Sequence, residues 1–259
     1  MDMANAAARP VMLVTGGGRG IGAAVVRLAA ARGYDICLTF RGDVARAEAT
    51  AAAAREAGAT VLALQADVAE AGARARCFAA LDARFGRLDA LVNNAGITGP
   101  AGRLAETPDA VWEQVLRTNV VGLAACSREA VRRMSTALGG PGEHKGGVIV
   151  NISSRASQLG GPGEWVHYAA SKGAVDTLTI GLAKEVGAEG IRVNAVNPGL
   201  IDTEIHAAAG MPDRVQRGAA GVPMGRGGTA EEVAEAVLWL LSDAAAYVSG
   251  ACLPVGGGR

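Results

Sequence analysis

Short apolar runs alternate with segments of helical periodicity along most of the chain. The run Val11–Thr15 (VMLVT) is apolar throughout, which is typical of a strand buried on both faces of a sheet. A helical pattern follows at Ile21–Arg32 and stops at Gly33. Strands that alternate with helices in this way indicate βαβ units, and therefore a parallel sheet.

The same rhythm continues to the last residues. Strands are predicted at Val11–Thr15, Asp35–Phe40, Thr60–Gln65, Asp89–Asn93, Val148–Ser153, Arg192–Asn197 and Ala251–Val255. Helices are predicted at Ile21–Arg32, Val44–Ala57, Glu70–Phe85, Pro108–Leu138, Tyr168–Glu185 and Ala230–Ser242. We therefore predict the α/β class, as one domain over residues 1–259: a Rossmann-type, doubly wound parallel sheet of seven strands with helices on both faces.

Two loops stand out in this pattern. Gly139–Gly147 is polar and rich in glycine, and it separates two predicted elements rather than two domains. The connection 199–228 is long and rich in glycine, alanine and proline. Long loops in compact domains tend to be lids or binding loops, so we expect this connection to cover a substrate.

Composition and charge exclude several classes of protein. Half of the residues are hydrophobic (50%) and 25 Lys or Arg balance 25 Asp or Glu, which argues against disorder. Zero net charge and 3% aromatic residues disfavour a general nucleic-acid binder. We expect no signal peptide at Met1–Pro10 and no membrane span, because the sequence lacks the long uncharged apolar run that each requires.

Cysteine and histidine spacing predicts no metal site. The residues are Cys37, Cys77, Cys126, Cys252, His144, His167 and His206. The cysteines form no CxxC pair, and the histidines lack partners at metal-ligand spacing. Free cysteines in apolar stretches suit a reducing compartment, so we predict a cytoplasmic location.

A glycine-rich turn joins the first strand to the first helix. In Gly16–Gly22 (GGGRGIG), the glycines Gly16, Gly20 and Gly22 allow a tight turn and a close approach to a pyrophosphate at the helix N-terminus. The spacing is G-x-x-x-G-x-G rather than the common G-x-G-x-x-G. The alternative is a strand–helix turn without a ligand.

Tyr168 and Lys172 stand at positions i and i+4 of a predicted helix, so their side chains share one face. A phenol has a pKa of about 10, and a nearby cation favours the phenolate. We therefore expect Lys172 to lower the pKa of Tyr168, which makes Tyr168 a candidate general acid and base. Taken alone, a Tyr–Lys pair at this spacing is usually part of a solvated helix face.

Polar segments follow two of the predicted strands. Asn93–Gly96 (NNAG) ends the fourth strand, and Asn151–Ser154 (NISS) ends the fifth. In open α/β sheets, ligands bind outside the carboxyl ends of the strands. Both segments are therefore candidate site residues, although asparagine, glycine and serine also serve as ordinary turn residues.

Over nearly its whole length, the chain resembles the short-chain dehydrogenase/reductase family. The motifs that carry the resemblance are Thr15–Gly22, Asp67-Val68, Asn93–Gly96, Asn119, Asn151–Ser154, Tyr168-x-x-x-Lys172, Asn197-Pro198-Gly199 and Tyr247–Gly250. This set in this order is specific for the family and not for a substrate. The resemblance is greatest to the bacterial branch of 3-oxoacyl-thioester reductases and glucose-dehydrogenase-like enzymes.

The resemblance implies hydride transfer between a nicotinamide and a ketone or secondary alcohol. Tyr168 would exchange a proton with the substrate oxygen, and Lys172 would tune Tyr168 and hold the nicotinamide ribose. Ser154 would hydrogen-bond the substrate oxygen, and Asn119 would hold a water linking Lys172 to solvent. The family often has its serine thirteen residues before the tyrosine, where this chain has Arg155. We choose Ser154, the last residue of its motif, with Ser153 as the alternative.

The resemblance also implies a cofactor cleft, with Asp67 at the adenine and Pro198, Gly199 and Thr203 at the nicotinamide and phosphates. The complete cofactor set comprises Gly16, Arg19, Gly20, Ile21, Gly22, Arg41, Asp67, Val68, Asn94, Ala95, Gly96, Tyr168, Lys172, Pro198, Gly199, Ile201 and Thr203.

Two arginines bear on the choice of nicotinamide. NAD selectivity commonly comes from an acidic residue at the end of the second strand, where this chain has Arg41. Arg19 precedes the second motif glycine, and paired guanidinium groups suit a 2′-phosphate. We therefore predict NADP(H), with NAD(H) as the alternative because Asp43 lies close enough in sequence to reach a 2′-hydroxyl.

Other functions and partners stay open at this level. A catalytically silent, dinucleotide-binding regulatory or scaffold protein is one alternative, and a dehydratase or epimerase that uses the same residues is another. The resemblance implies a homotetramer, or a dimer, built on helices Pro108–Leu138 and Tyr168–Glu185. The expected partner is a small carbonyl or alcohol, and Arg214 and Arg217 in the covering loop either meet an acidic group or are solvated.

Overall fold

The computed structural model describes residues 9–138 and 145–259. Residues 1–8 and most of the predicted loop Gly139–Gly147, including His144, lie outside the described residues. The expectations for the signal peptide and for that loop therefore stay predictions.

A parallel sheet forms the centre of the described residues, and its seven strands follow the order β3-β2-β1-β4-β5-β6-β7. The strands are β1 (Val11–Thr15), β2 (Asp35–Phe40), β3 (Val61–Gln65), β4 (Ala90–Asn93), β5 (Gly147–Ile152), β6 (Ile191–Pro198) and β7 (Cys252–Val255). Each begins and ends within one residue of its predicted bounds. The doubly wound α/β fold is confirmed.

Helices connect the strands and cover both faces of the sheet. They are α1 (Gly20–Ala31), α2 (Val44–Glu56), α3 (Ala71–Phe85), α4 (Asp109–Leu116), α5 (Leu123–Met134), α6 (Ala156–Leu159), α7 (Val166–Val186), α8 (Ile205–Ala208), α9 (Arg214–Gly218) and α10 (Ala230–Leu241). A π-helical turn (Arg117–Gly122) joins α4 to α5, and 3₁₀ turns lie at Leu104–Glu106, Gly187–Glu189, Ala219–Gly221 and Asp243–Ala245. Among the helices of the described residues, none has the length and apolar character needed to span a bilayer.

The helix predicted at Pro108–Leu138 ends four residues early, at Met134. Ser135 leaves the helical conformation, and its hydroxyl oxygen accepts hydrogen bonds from the backbone nitrogens of Ala137 and Leu138, both at 3.1 Å. A serine that bonds local backbone in this way competes with helix continuation.

Alternate side chains of the strands enter two apolar layers. Met12 and Val14 of β1 pack with α1, α2 and α10, whereas Leu13 packs on the other face with α3, α5 and α7. Burial of one such side chain contributes roughly 1.5–3 kcal/mol. The layers hold the strands in register, and so align their carboxyl ends along one edge.

A buried chain of polar side chains ties two of these ends to the helices. Nδ2 of Asn93 donates to Oγ of Ser127 and to Oδ1 of Asn151, both at 2.9 Å. Nδ2 of Asn151 donates in turn to Oγ1 of Thr179 at 2.9 Å. Buried polar groups are costly unless they are bonded, so this chain fixes the ends of β4 and β5 against α5 and α7.

Arg133 of α5 anchors the opposite end of this layer. Its guanidinium donates to Asp82 of α3 at 2.7 and 2.8 Å, donates to Glu129 at 3.0 Å, and lies 4.7 Å from the centroid of the Phe78 ring. The side chain is 9% exposed, whereas the neighbouring Arg132, which also pairs with Glu129, is 58% exposed.

We expect Arg133→Gln to lower the free energy of unfolding by about 2 kcal/mol, since it leaves partly buried carboxylates without their cation. Arg132→Gln is the matched control and is expected to lose less than about 0.5 kcal/mol, because exposed ion pairs contribute little. Urea unfolding at fixed protein concentration measures both. Equal losses in the two variants would contradict the assigned role of Arg133.

Candidate active site

The carboxyl ends of the strands open into a cavity of about 660 Å³. It lies where the strand order reverses, between β1 and β4. The predicted catalytic and cofactor-binding residues line this cavity, except for Gly22 and Asn119, which are buried behind its wall.

The glycine-rich turn forms one end of the cavity. Gly16 and Gly20 have φ angles of 66° and 53°, in the left-handed region that favours glycine. Gly22 is required for a different reason, because a Cβ there would lie 2.3 Å from the carbonyl oxygen of Gly16. Nδ2 of Asn94 donates to that same oxygen at 2.9 Å. The turn is therefore held between α1 and the residue that follows β4.

Positive charge borders the cavity at the end of β2. Arg19 and Arg41 line it and are exposed, and within residues 9–138 and 145–259 neither side chain has an ion-pair or hydrogen-bond partner. The carboxylate of Asp43 instead caps α2: it accepts a hydrogen bond from the backbone nitrogen of Arg46 at 3.1 Å and pairs with the Arg46 guanidinium at 3.4 Å. Arg46 also pairs with Glu204 in the long connection.

Tyr168 and Lys172 lie one turn apart on α7, near the other end of the cavity. The hydroxyl of Ser154 and the phenol of Tyr168 line the same end of the cavity, and Ser154 acts to lower the pKa of Tyr168. Nζ of Lys172 donates to the carbonyl oxygen of Ile152 at 2.7 Å and lies 5.6 Å from the centroid of the Tyr168 ring. The residues after β5 and the first turns of α7 thus bring a phenol, a hydroxyl and an ammonium together.

The two candidate serines have different surroundings. Oγ of Ser153 is buried and donates to the backbone carbonyl of Lys172 at 3.1 Å, so it joins β5 to α7. Ser154 is partly exposed to the cavity, and its Oγ accepts from the backbone nitrogen of Ala156 at 3.1 Å. Ser154 is therefore the serine whose hydroxyl reaches Tyr168.

Burial controls the titration of both groups on α7. It raises the pKa of Tyr168, whereas Ser154 and the charge of Arg214 oppose that rise. Burial lowers the pKa of Lys172 to about 8, and the carboxylate of Asp176 opposes that fall. Burial has the largest effect on the pKa of Tyr168, and the Lys172 ammonium donates to the carbonyl oxygen of Ile152, so our expectation that Lys172 lowers the pKa of Tyr168 stays a prediction.

Asn119 lies in the π-helical turn and is fully buried. Its Oδ1 accepts from the backbone nitrogen of Ile97 at 2.9 Å, and its Nδ2 donates to the carbonyl oxygen of Ile97 at 2.9 Å and to Oγ of Ser171 at 3.0 Å. Single π-helical turns inside α-helices are frequent at functional sites. Here the turn aims Asn119 at the backbone after β4 and at the residue next to Lys172.

Sequence reasoning missed part of the wall beyond Tyr168, namely Leu159, Glu164 and Trp165. Leu200 and Ile205, which also line this end of the cavity, belong to the connection 199–228 that the sequence predicted to cover the substrate. Trp165 is buried, and it also faces the cavity. Its position just before the Tyr168 motif was the available signal.

The two arginines of the covering loop differ. Nη1 of Arg214 donates to Glu164 at 2.6 Å, and its guanidinium carbon lies 4.4 Å from the centroid of the Trp165 ring. Arg217 is exposed and lies 3.7 Å from the carboxylate of Asp213. Arg214 therefore belongs to the cavity wall, whereas Arg217 is solvated.

The two histidines that the structure describes bond to the backbone. Nε2 of His167 lies 2.8 Å from the carbonyl oxygen of Thr98, and Nε2 of His206 lies 3.1 Å from that of Ile201. Across the described parts of the chain, no group of three His, Cys, Asp or Glu residues is arranged to hold a metal ion.

Comparison with known proteins gives one consistent family. The family model described as enoyl-(acyl carrier protein) reductase matches residues 16–259. The uncharacterised oxidoreductase YgfF of Escherichia coli is 48% identical, over 96% of this chain and 99% of that protein. The cis-4-hydroxycyclohexanecarboxylate dehydrogenase of Sinomonas cyclohexanicum is 42% identical, over 99% and 98%.

A solved structure agrees with the sequence relatives. A short-chain dehydrogenase from Burkholderia cenocepacia in complex with NADP is 32% identical and has a TM-score of 0.87, over 96% of this chain and 97% of that chain. The family model spans the glycine turn, both motifs after β4 and β5, and the Tyr168–Lys172 helix. The chain therefore belongs to the short-chain dehydrogenase/reductase family and is an NAD(P)-dependent oxidoreductase that acts on alcohol or carbonyl groups.

Proposed function

We propose that the protein is an NADP(H)-dependent oxidoreductase that interconverts a ketone and a secondary alcohol, with Tyr168 as general acid and base. The observation that carries the proposal is that the Ser154 hydroxyl and the Tyr168 phenol line the same end of the cavity that begins at the glycine turn, close enough for Ser154 to lower the pKa of Tyr168. A hydroxyl and a phenol meeting at one point can bind one carbonyl oxygen.

The cavity fits a dinucleotide. Gly16 and Gly20 expose backbone at the N-terminus of α1, where a pyrophosphate is favoured, and no side chain fills the turn. Asp67 and Val68 line the middle, and Asn94–Gly96 lead toward Lys172. When bound, the nicotinamide supplies or accepts the hydride.

The charges beside β2 favour NADP(H) over NAD(H). Arg19 and Arg41 are positioned to pair with a 2′-phosphate, since arginine binds phosphate through charge-assisted, forked hydrogen bonds. Asp43 is the residue that would favour a 2′-hydroxyl, but its carboxylate already accepts a hydrogen bond from the backbone nitrogen of Arg46 at the start of α2 and pairs with the Arg46 guanidinium.

Proton transfer falls to the residues around Tyr168. In reduction, the Tyr168 hydroxyl donates its proton to the substrate oxygen, and Ser154 donates a hydrogen bond to that oxygen as it gains charge. Lys172 holds the ribose side of the cleft and supplies positive charge nearby. Asn119 bonds Ile97, in the segment that follows β4, and Ser171 on α7, and so it positions that segment relative to α7.

Several further expectations belong to this proposal. Residues 1–259 act as one catalytic domain, and the connection 199–228 covers the substrate, supported by the position of Leu200, Ile205 and Arg214 in the cavity wall. A homotetramer built on the α4–α5 and α7 helices is supported by the exposed Val121 and Ile180. The free thiols of the cysteines support a cytoplasmic location.

We expect Tyr168→Phe to lower kcat for ketone reduction by about 10²–10⁴-fold, because the proton donor is lost while the ring remains. NADPH is still expected to bind, as measured by tryptophan fluorescence. Tyr247→Phe changes a fully exposed phenol and is the control. Unchanged turnover in Tyr168→Phe would overturn the mechanism. Turnover without net NADPH consumption would instead indicate dehydration or epimerisation.

Ser154→Ala and Ser153→Ala separate the two serines. Since Ser154 lowers the pKa of Tyr168, its removal raises that pKa, and alcohol oxidation needs the deprotonated phenol. The rising limb of the pH–rate profile for oxidation is therefore expected to move to higher pH in Ser154→Ala. The kcat of this variant is expected to fall to about a tenth of the wild-type value or below. Ser153→Ala is expected to leave the limb in place. A shift in Ser153→Ala alone would reverse the assignment.

Arg41→Gln is expected to raise the Kd for NADPH about tenfold while the Kd for NADH stays constant, because the lost charge pairs with the 2′-phosphate. Arg32→Gln is the matched control, since Arg32 is exposed just after the end of α1 and pairs with Glu235, and neither residue lines the cavity. Fluorescence titration of each variant gives the constants. Equal weakening of both nucleotides would contradict the NADP(H) preference.

A further inference from the structure

Arg214 places a cation at the substrate end of the cavity. It is the first residue of α9, and its side chain is 19% exposed. Its guanidinium stacks on Trp165, whose Nε1 donates to the carbonyl oxygen of Gly99 at 3.2 Å. Because the indole is buried and bonded, it holds the guanidinium in one position.

Arg214 uses part of its hydrogen-bonding capacity within the protein. Nη1 donates to Oε2 of Glu164 at 2.6 Å and lies 4.0 Å from the sulfur of Met211. Nε and Nη2 donate to nothing in the part of the chain that the structure describes. The Nε–Nη2 edge of a guanidinium is the geometry that binds a carboxylate through two parallel hydrogen bonds.

The surroundings of Arg214 suit an apolar molecule with one negative charge. Leu159, Leu200 and Ile205 supply apolar wall at this end of the cavity. The carboxylates that line the cavity near this loop already have partners, since Glu164 pairs with Arg214 and Glu204 pairs with Arg46. The charge of Arg214 is also felt at the reacting phenol, because it lowers the pKa of Tyr168.

We propose that the substrate carries a carboxylate that binds the Nε–Nη2 edge of Arg214 while its carbonyl or alcohol oxygen meets Tyr168 and Ser154. The substrate class is then an oxo acid, or the corresponding hydroxy acid, with an apolar carbon frame between the two groups. Glu164 acts as a positioning residue that fixes the guanidinium through Nη1. The inference rests on the proposed oxidoreductase function.

The test compares keto acids with their methyl esters, which differ in charge and keep the ketone. NADPH-dependent reduction is measured for 4-oxopentanoate, 5-oxohexanoate and the two esters. We expect kcat/KM of the wild type to be at least about tenfold higher for each acid than for its ester, because the ester lacks the charge that bonds Arg214. Arg214→Gln is expected to bring the acid-to-ester ratio close to one. Arg214→Lys, which keeps the charge without the fork, is expected to give an intermediate ratio.

Arg217→Gln is the matched control from the same short helix. Arg217 is 67% exposed, and this variant is expected to keep the wild-type ratio. Isothermal titration of the NADPH-loaded protein with hexanoate and hexanamide gives a readout without turnover. Hexanoate is expected to bind the wild type and Arg217→Gln, and to bind Arg214→Gln at least about tenfold more weakly.

The outcomes separate the two proposals. Equal kcat/KM for acids and esters, or the same loss on both in Arg214→Gln, overturns the carboxylate site and leaves the oxidoreductase function standing. Hexanoate binding that does not depend on Arg214 overturns the site as well. Failure to reduce any ketone with NADPH overturns the proposed function, and hexanoate titration still decides the carboxylate site.

Discussion

The close approach of the glycine turn to the end of β4 is the constraint on which the site depends. Chains leaving β1 and β4 diverge to opposite faces of the sheet, and the crevice between them exists because the first turn is tight enough to stay out of it. The absence of a side chain at Gly22 lets α1 approach the turn, since a Cβ at this position would collide with the carbonyl oxygen of Gly16. Asn94 bonds the same carbonyl from the side. The walls at this end of the cavity are thus set by contacts to one backbone carbonyl, that of Gly16.

The end of the cavity at Tyr168 depends on a different effect, the desolvation of charged groups. Burial raises the pKa of Tyr168 and lowers the pKa of Lys172, so it disfavours the phenolate and the ammonium alike. Ser154 and the charge of Arg214 oppose the effect of burial on the pKa of Tyr168, and the charge of Asp176 opposes its effect on the pKa of Lys172. The site therefore holds groups that are costly to ionise inside a frame of bonded polar residues that keeps them in place.

The sequence was sufficient for the fold and for the residues carried by local motifs. Uniform apolar strands, a glycine turn and an i, i+4 pair are visible in short windows, because their geometry depends on neighbours in the chain. The commitment of Asp43 to α2, the contact of Arg214 with Trp165 and the direction of the Tyr168 pKa shift were not visible. Each depends on which distant segments pack together, and on how much water that packing removes.

The π-helical turn at Arg117–Gly122 limits where residues can be inserted or deleted in this chain. Such a turn corresponds to one residue added to an α-helix, and it rotates everything beyond it relative to what precedes it. The rotation of α5 relative to α4 about the helix axis therefore depends on this extra residue. Deletion of one residue here would restore a regular helix and carry Asn119 away from Ile97. The helix can accept substitutions at its surface, but its residue count between Leu116 and Leu123 is fixed by the site it supports.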